Sequence, residues 1–380
     1  MHICFITSEF PKQGFPHGGI GTFVLYIGTE LVKNNIKVSV VGLNNYTKKS
    51  EFEKINGINV YRLFKENKLN IFKWYFNSKI ISDKIEEIHS KERINIIETP
   101  ENGLAFLRKL PDIKYIIRMH GGHAFFVHNK IRKVNYFKKI TEKISFYRAD
   151  HLIAVSDYVG QNTIKVVKAN KNYTKIYNPI DTNIFKPLDN NQINNFSIFF
   201  AGTIFEKKGI RQLVQALQIL IKNFPNTHLN IAGSYGVIQG TRKSYQSVLE
   251  KEISEDLSKH ITFLGKLPHS EIPNYINQST VCCYPSHIES FGIAVIEAMS
   301  MGKTVIFSDI GIGRELIDNF KNGILVNPHN PKDIAEKIKW VFDNLERAKE
   351  IGLNARKHVI ENFDIRKIVD ENINFYKSIL

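Results

Sequence analysis

Short apolar runs and amphipathic stretches alternate along the first half of the chain. The runs of strand length lie at 3–7, 37–42, 58–63, 94–98, 115–119 and 151–155, and a further one at 175–181 ends in a turn. Stretches with helical periodicity separate most of them, at 22–34, 70–90, 101–110, 130–147 and 157–169. This alternation indicates a parallel sheet with helices packed on its faces.

The same alternation begins again in the second half. Strand patterns lie at 197–201, 228–232, 261–264, 280–284 and 304–308, and helical patterns at 210–222, 243–258, 270–277, 331–349 and 364–379. The polar stretch 189–195 between the halves is the candidate linker. The fold class expected is therefore α/β, with two Rossmann-like, doubly wound domains at 1–188 and 189–363 facing a central cleft. A small-molecule site is expected at the carboxyl ends of their strands, in that cleft.

Length and cysteine usage narrow the class of protein. A chain of 380 residues suits two domains of ordinary size. Its three cysteines, Cys4, Cys282 and Cys283, show neither metal-ligand spacing nor a disulfide framework, which favours a reducing cytoplasm. We expect no signal peptide and no membrane span, because the first residues carry no charged segment and no apolar run approaches 18 residues.

Most of the net charge of +15 lies in the first half, where residues 1–190 carry 30 Lys and Arg against 17 Asp and Glu. The densest basic stretch, 128–148, interleaves its cations with aromatic and aliphatic residues. Such a helix either packs its apolar side on the core or lies on an anionic membrane, which would place the protein at the inner face of the plasma membrane. We expect no nucleic-acid partner, because no recognised module is visible.

Two carboxylates, Glu289 and Glu297, flank an apolar run that opens with Phe291 and Gly292. If a helix begins at Gly292, its first free N–H groups form an anion site beside Glu289, and Glu297 lies about two turns further on. A nucleotide-sugar would suit this combination of amides and carboxylates. The alternative is an ordinary amphipathic helix with solvated glutamates.

Other candidate groups follow predicted strands, and each has a plainer interpretation. A glycine loop at 18–21 opens the first helix, where it suits a pyrophosphate or forms a surface turn; without the full dinucleotide spacing it does not favour NAD. His120 either faces the cleft or is an ordinary loop histidine. Glu98 and Glu101 could serve an acceptor hydroxyl, or Thr99-Pro100 could simply begin a helix.

The string PSHIESFGIAVIEAMSM at 285–301 resembles the E-x7-E signature of glycosyltransferase family 4, the retaining group 1 glycosyl transferases of the GT-B fold. The resemblance implies catalytic roles for His120 and Glu289, which would contact the donor sugar, and a contact to the ribose from Glu297. Further donor contacts are implied for Gly19, Gly21, Thr203, Lys207, Lys208, Phe291, Gly292 and Ile293. Thr203 stands where the family's motif before the lysine usually has an arginine. A last helix, 364–380, is expected to pack back on the first domain.

The function expected from this resemblance is transfer of a sugar from a UDP- or GDP-type donor to a glycan or lipid-linked acceptor, with retention. The setting expected is cell-envelope polysaccharide, lipopolysaccharide or glycolipid synthesis. No metal or other cofactor is expected, because the chain has no Asp-x-Asp pair to hold a cation on the diphosphate. A GT-B sugar-nucleotide epimerase or hydrolase and a non-enzymatic nucleotide-binding module stay open as alternatives.

Overall fold

The computed structural model describes residues 1–15, 18–44, 49–65, 73–189, 194–238, 241 and 244–380. Parts of four sequence-based expectations fall outside these ranges: residues 16 and 17 before the glycine loop, 70–72 and 243 at two helix starts, and 190–193 of the linker. The described chain forms two compact units, Met1–Pro179 with Ile365–Leu380, and Ile180–Asp364. The division predicted from sequence was placed at 188/189.

The first unit is built on one sheet. Its strands are β1 (His2–Ile6), β2 (Lys37–Asn44), β3 (Glu51–Ile55), β4 (Ile58–Phe64), β5 (Ile96–Thr99), β6 (Lys114–Met119), β7 (His151–Ala154) and β8 (Thr174–Lys175). Their order across the sheet is β3-β4-β2-β1-β5-β6-β7-β8, and every pairing is parallel except the β3–β4 hairpin. The strand order reverses between β1 and β5, so the loops after these strands begin at a topological switch point, where ligands bind in doubly wound sheets.

The second unit repeats this design. Its strands are β9 (Ser197–Ala201), β10 (His228–Ala232), β11 (Ile261–Gly265), β12 (Val281–Tyr284), β13 (Val305–Ser308) and β14 (Ile324–Val326). The sheet order is β11-β10-β9-β12-β13-β14 with parallel pairings throughout. Numbered within the unit this is 3-2-1-4-5-6, the order of dinucleotide-binding sheets, and the switch point lies between β9 and β12.

The helices pack around these two sheets. They are α1 (Gly19–Lys33), α2 (Lys73–Lys91), α3 (His123–His128), α4 (Tyr136–Arg148), α5 (Asp157–Val167), α6 (Ile210–Leu220), α7 (Tyr245–Leu249), α8 (Glu255–Ser258), α9 (Ile272–Gln278), α10 (Ile293–Ser300), α11 (Gly313–Leu316), α12 (Pro331–Asp343), α13 (Leu345–Phe363) and α14 (Ile365–Ser378). Among the residues described, no helix is long and apolar enough to cross a membrane.

The last helix belongs to the core of the first unit. Ile368, Val369 and Tyr376 of α14 are buried in the same cluster as Val24 and Ile27 of α1. Burial of this apolar stripe is the main force that fixes a helix on a sheet layer. The parallel α/β fold class and the strand patterns predicted for both halves, apart from 175–181, are confirmed.

Several local predictions are wrong. Residues 101–110 form turns rather than a helix, and the 175–181 strand is reduced to β8. The helix predicted near 243–258 is broken into α7, a 3-10 turn at Glu250–Glu252, and α8. The edge strand β3 and most of α13 were not anticipated. None of these changes moves the ends of β1, β5, β9 or β12, where the candidate groups lie.

Candidate active site

Two loops of the second unit meet at its switch point. After β9 the chain makes a 3-10 turn at Glu206–Lys208 and enters α6 through Gly209. A Cβ on Gly209 would lie 1.8 Å from the Pro285 carbonyl oxygen, so only glycine allows this approach to the loop after β12. The His287 amide also donates to the Lys207 carbonyl at 2.8 Å. The two loops are therefore fixed against each other by their backbones.

This contact brings Lys208 and Glu289 together. The Lys208 ammonium forms an ion pair with the Glu289 carboxylate, which also accepts a 2.9 Å hydrogen bond from the Ser286 hydroxyl. The two side chains are 21% and 16% exposed. A cation and a carboxylate thus lie side by side at the end of β9 and β12, held by the fold but still open to a ligand.

The start of α10 lies next to this pair in the chain. Gly292 is its N-cap in the left-handed conformation, and the Val295 and Ile296 amides both donate to the Gly292 carbonyl. The amides of the first turn come before these donors and have no acceptor inside the helix, so they form a positive helix end. Ile293 is partly exposed there. The Phe291 ring is buried and meets Phe363 edge-on.

Glu297 lies further along α10 and is 6% exposed. Its carboxylate is bonded to the His269 ring at 2.7 Å, and this hydrogen bond raises the pKa of His269 despite the opposing effect of burial. The sequence carried no local signal for His269, because the two residues meet only through tertiary packing. The ribose contact expected of Glu297 stays a prediction.

The remaining two donor residues predicted in this unit lie on the loop after β9. Thr203, at the position of the family's usual arginine, is exposed. Lys207 is partly buried, and its carbonyl takes part in the backbone contact described above. Both residues are therefore close in the chain to Lys208, which pairs with Glu289.

In the first unit the glycine loop opens α1 as expected, with Gly18 as N-cap and Gly19 exposed. A Cβ on Gly21 would lie 1.8 Å from the Glu9 carbonyl oxygen, so this close approach requires glycine. Desolvation raises the pKa of the Glu9 carboxyl, and the nearby Ile20 and Gly21 amides oppose this shift. Sequence reasoning did not identify Glu9; the available signal was an acidic residue between β1 and the glycines. A carboxyl group of this chain thus lies beside the glycine loop that was expected to bind a diphosphate.

His120 follows β6 and reaches the first turn of α1. Its ring meets the Phe23 ring edge-on at 5.2 Å. Burial, and then the neighbouring Arg118 cation, lower the pKa of His120 to about 3. The imidazole is therefore neutral at physiological pH and able to donate one hydrogen bond and accept another.

Glu98 lies in a buried structural environment, and the acceptor role expected of it stays a prediction. It is 2% exposed, and its carboxylate accepts from Arg118 at 2.6 and 3.2 Å. The Tyr376 hydroxyl of α14 donates to the same carboxylate at 2.7 Å. Because these three bonds engage both oxygens of a buried group, Glu98 is part of the attachment of α14.

Glu101 is buried as well, but it lies next to His120. Its carboxylate accepts the Gly121 amide at 2.7 Å, and burial raises its pKa to about 7. Glu142, from α4, accepts the amides of His123 and Ala124 at the start of α3. Two buried carboxylates therefore hold the loop that follows His120. The acceptor contact predicted for Glu101 stays a prediction, while its helix-starting alternative is wrong because no helix begins there.

Within the part of the chain that is described, no group of three or more His, Cys, Asp or Glu side chains is placed to hold a metal ion. The expectation of metal-free chemistry stays a prediction, and it depends on the positive groups around Lys208 and α10 rather than on this observation.

Comparison with known proteins gives two family models, one after the other along the chain. A model described as Glycosyltransferase Family 4 matches residues 17–184, and one described as Glycosyl transferases group 1 matches residues 182–358. An uncharacterized glycosyltransferase of Methanocaldococcus jannaschii is 26% identical over 397 positions, covering 99% of this chain and 98% of the relative. The capsular polysaccharide biosynthesis glycosyltransferase CapM of Staphylococcus aureus is 28% identical over 255 positions, covering 63% of this chain and 65% of CapM.

Solved structures show the fold. Sucrose-phosphate synthase from Thermosynechococcus elongatus matches with a TM-score of 0.84 at 20% identity, over 100% of this chain and 98% of that one. HepE from Anabaena, solved with UDP-glucose, matches with a TM-score of 0.79 at 18% identity over 100% of both chains. From its two matched models, its relatives and its GT-B fold, the chain belongs to the group 1, family 4 glycosyltransferases and is a glycosyltransferase.

Proposed function

We propose that the enzyme moves a hexosyl or N-acetylhexosaminyl group from a nucleotide-diphosphate donor to an acceptor hydroxyl, with retention at the anomeric carbon. The observation that carries this proposal is the accessible Lys208–Glu289 pair at the switch point of the second sheet, next to the start of α10. A cation, free helix amides and a carboxylate are the groups that a sugar diphosphate requires.

Loss of the nucleotide diphosphate is the difficult step, since negative charge grows on the phosphates as the sugar becomes cationic. The Lys208 ammonium and the first amides of α10 would stabilise that charge without reorganising. A preorganised donor of this kind is typically worth about 10²–10³ in rate. These groups would stabilise the leaving nucleotide diphosphate without a metal ion.

Donor binding would exchange partners within the pair. The Lys208 ammonium would turn to the diphosphate, and the Glu289 carboxylate would accept hydroxyl groups of the sugar, so that neither charge loses a partner. Retention would follow a front-face route in which the leaving phosphate takes the acceptor proton, as the family resemblance implies. Attack by Glu289 itself is the alternative route to the same stereochemistry.

The nature of the donor and acceptor is also part of the proposal. The HepE structures contain UDP or UDP-glucose, which supports a UDP- or GDP-type donor. The name of CapM supports a cell-envelope polysaccharide as the product. In the first unit, the neutral His120 imidazole would donate a hydrogen bond to a sugar hydroxyl.

A thermal-shift screen of UDP-, GDP- and ADP-sugars tests the donor. A ligand that binds the folded state stabilises it by an amount that grows with its concentration over Kd, so the correct nucleotide should raise Tm. Turnover with that donor and an envelope-glycan acceptor, followed by NMR, should give a product with the anomeric configuration of the donor. An inverted product would contradict retention, and loss of turnover in EDTA would contradict metal-free transfer.

The variant Glu289→Gln should lower kcat by about 10²–10³, because it removes a charged contact to the reacting sugar. Glu346→Gln, at an exposed position on α13, is the matched control and should leave kcat unchanged. Equal activity of Glu289→Gln and the wild type would show that the Glu289 carboxylate takes no part in the reaction.

A further inference from the structure

Helix α4 turns an apolar stripe outward. Its buried positions are the polar Thr141, Glu142 and Ser145 together with Phe146. Tyr136, Ile140 and Tyr147 are instead 75%, 56% and 85% exposed. These three residues are four and seven positions apart, so they lie on one face of the helix. A surface helix ordinarily buries such a stripe, whereas α4 buries Phe146 on its other side and leaves this stripe exposed.

Neighbouring elements extend this face with more aromatic rings. Phe137 of α4 is 51% exposed, and Trp74 and Tyr75 at the start of α2 are 36% and 52% exposed. The Trp74 ring lies 4.1 Å from Phe106 and 6.2 Å from Phe137, centroid to centroid. We call the group formed by Trp74, Tyr75, Phe137 and the α4 stripe (Tyr136, Ile140 and Tyr147) the aromatic surface. Trp and Tyr rings in such a group are typical of the water–membrane boundary, where one side of the ring is wet.

The charge around the aromatic surface has one sign. Residues 128–148 contain seven cations, Lys130, Arg132, Lys133, Lys138, Lys139, Lys143 and Arg148. The one carboxylate in this stretch, Glu142, is buried and accepts the two amides at the start of α3. The outward field is therefore positive, which attracts an anionic partner and opposes pairing with a second copy of the same face.

A cavity of about 270 Å³ lies beside the aromatic surface, and residues of α3, α4 and α5 contribute to its wall. Apolar groups in its wall include Val127, Val134 and Val166. Lys139, Lys143 and Lys168 also line it, and all three are exposed. Aliphatic walls combined with several ammonium groups suit an amphiphile with an anionic headgroup.

We propose that the aromatic surface docks the enzyme on an anionic phospholipid bilayer, with α4 lying along the headgroups and one headgroup entering the lysine-lined cavity. The aromatic rings enter the interfacial region, and the surrounding lysines and arginines meet the anionic lipids. All of these residues lie in the first unit, and none belongs to the Lys208–Glu289 pair. The docking proposal can therefore be tested independently of the proposed donor chemistry.

Vesicle flotation tests the proposal on the whole chain. The wild type should float with vesicles of phosphatidylcholine and phosphatidylglycerol but not with phosphatidylcholine alone, and binding should weaken as salt is raised. The variant Lys139→Gln/Lys143→Gln should bind the anionic vesicles roughly fivefold more weakly for each lysine removed. The variant Tyr136→Ser/Ile140→Ser/Tyr147→Ser should lose most of the remaining binding, because the buried apolar area supplies it.

The second unit offers matched controls. Leu345 and Leu353 on α13 are 49% and 57% exposed, so Leu345→Ser/Leu353→Ser removes exposed apolar groups that belong to the other unit. Lys349→Gln is the charge control, and both controls should float like the wild type. Every variant should keep the wild-type Tm and the same thermal shift with donor, which shows that it is folded.

Two results would overturn the proposal. Equal flotation of wild type and the α4 variants would show that the aromatic surface does not meet the bilayer. A dimer of the wild type that the serine variant converts to a monomer would assign the surface to a second copy of the chain. Failure of donor binding in all proteins, with flotation intact, would reject the donor proposal alone.

Discussion

Each unit carries a carboxylate–cation pair near the carboxyl ends of its central strands, and the two pairs differ in burial. In the first unit, Glu98 and Arg118 are 2% and 1% exposed. In the second, Glu289 and Lys208 are 16% and 21% exposed. The chemistry of the ions is similar, so solvent access decides their roles. A fully buried pair cannot exchange its partner for a ligand, whereas a partly exposed pair can.

The buried pair attaches α14 to the first sheet. Besides Glu98, the Arg118 guanidinium donates to Asn372, and Tyr376 donates to Glu98. In the partly exposed pair, Glu289 also accepts a hydrogen bond from the Ser286 hydroxyl. The comparison therefore separates a structural clamp from a ligand-accessible pair of the same charges.

The largest stability effect should come from breaking the clamp. Arg118→Met should lower the free energy of unfolding by about 3–5 kcal/mol, because it leaves the Glu98 charge buried and unpaired. Lys208→Met should cost less than about 1 kcal/mol, because its pair is partly solvated. Urea unfolding of both variants measures the difference.

The double variant Glu98→Met/Arg118→Met is the control for this comparison. It removes both charges and should be more stable than Arg118→Met alone. If Arg118→Met and Lys208→Met are equally stable, burial does not distinguish the two pairs.

The next effect concerns the pH dependence of stability. Burial raises the pKa of Glu101 to about 7, so the folded state holds this proton more tightly than the unfolded state. The stabilisation from protonated Glu101 is full below its ordinary pKa and is lost as pH rises through about 7. Glu101→Gln cannot ionise, and relative to the wild type it should gain about 3 kcal/mol between pH 4 and pH 8.

Urea unfolding of both proteins across this range measures the slope. The groups facing Glu101 are the Glu142 carboxylate, which adds to the shift, and the amides of His120 and Gly121, which oppose it. His120, whose pKa falls from 6.5 to about 3 on folding, makes stability rise with pH below about 6.5 in both proteins, so its contribution cancels in the comparison. An identical pH profile for variant and wild type would show that folding does not shift the pKa of Glu101.

A smaller effect, on donor affinity, should come from adding a positive charge to the loop after β9, which carries Lys208. Thr203→Arg places a guanidinium where the family resemblance expects one, at an exposed position near Lys208 in the chain. One further charge-assisted contact to the diphosphate should tighten donor binding by about 1 kcal/mol, or roughly fivefold. Calorimetric titration with the donor checks this; unchanged or weaker binding would place residue 203 away from the phosphates.

The sequence predicted the parts of the molecule that depend on local patterns. Buried strands are continuous apolar runs, so both parallel sheets could be anticipated, and the phenylalanine-glycine step marked the start of α10. The edge strand β3 could not, because its residues are only partly buried and mostly charged. The predicted helix at 101–110 failed because turns follow β5 instead, one of them closed by the Gly103 amide bonding to Pro100.

Features that depend on tertiary packing were the ones missed. His269 and Glu297 are far apart in the chain, and Glu9 meets the glycine loop only after α1 folds back on β1. The direction of the α4 face was also undecidable, because helical periodicity shows that an apolar stripe exists but not whether it faces the core or the solvent. The burial of Glu98 likewise could not be predicted, because it depends on contact with Tyr376 of α14, which is far away in the chain.

The central claim is that the exposed pair of the second unit binds a nucleotide diphosphate. Calorimetry of UDP and GDP with the wild type, Lys208→Met and the exposed control Lys349→Met tests it most directly. For the nucleotide that binds, Lys208→Met should raise Kd about 10–100-fold, the loss of one charge-assisted contact, while Lys349→Met leaves Kd unchanged. Equal Kd values for wild type and Lys208→Met would contradict the account.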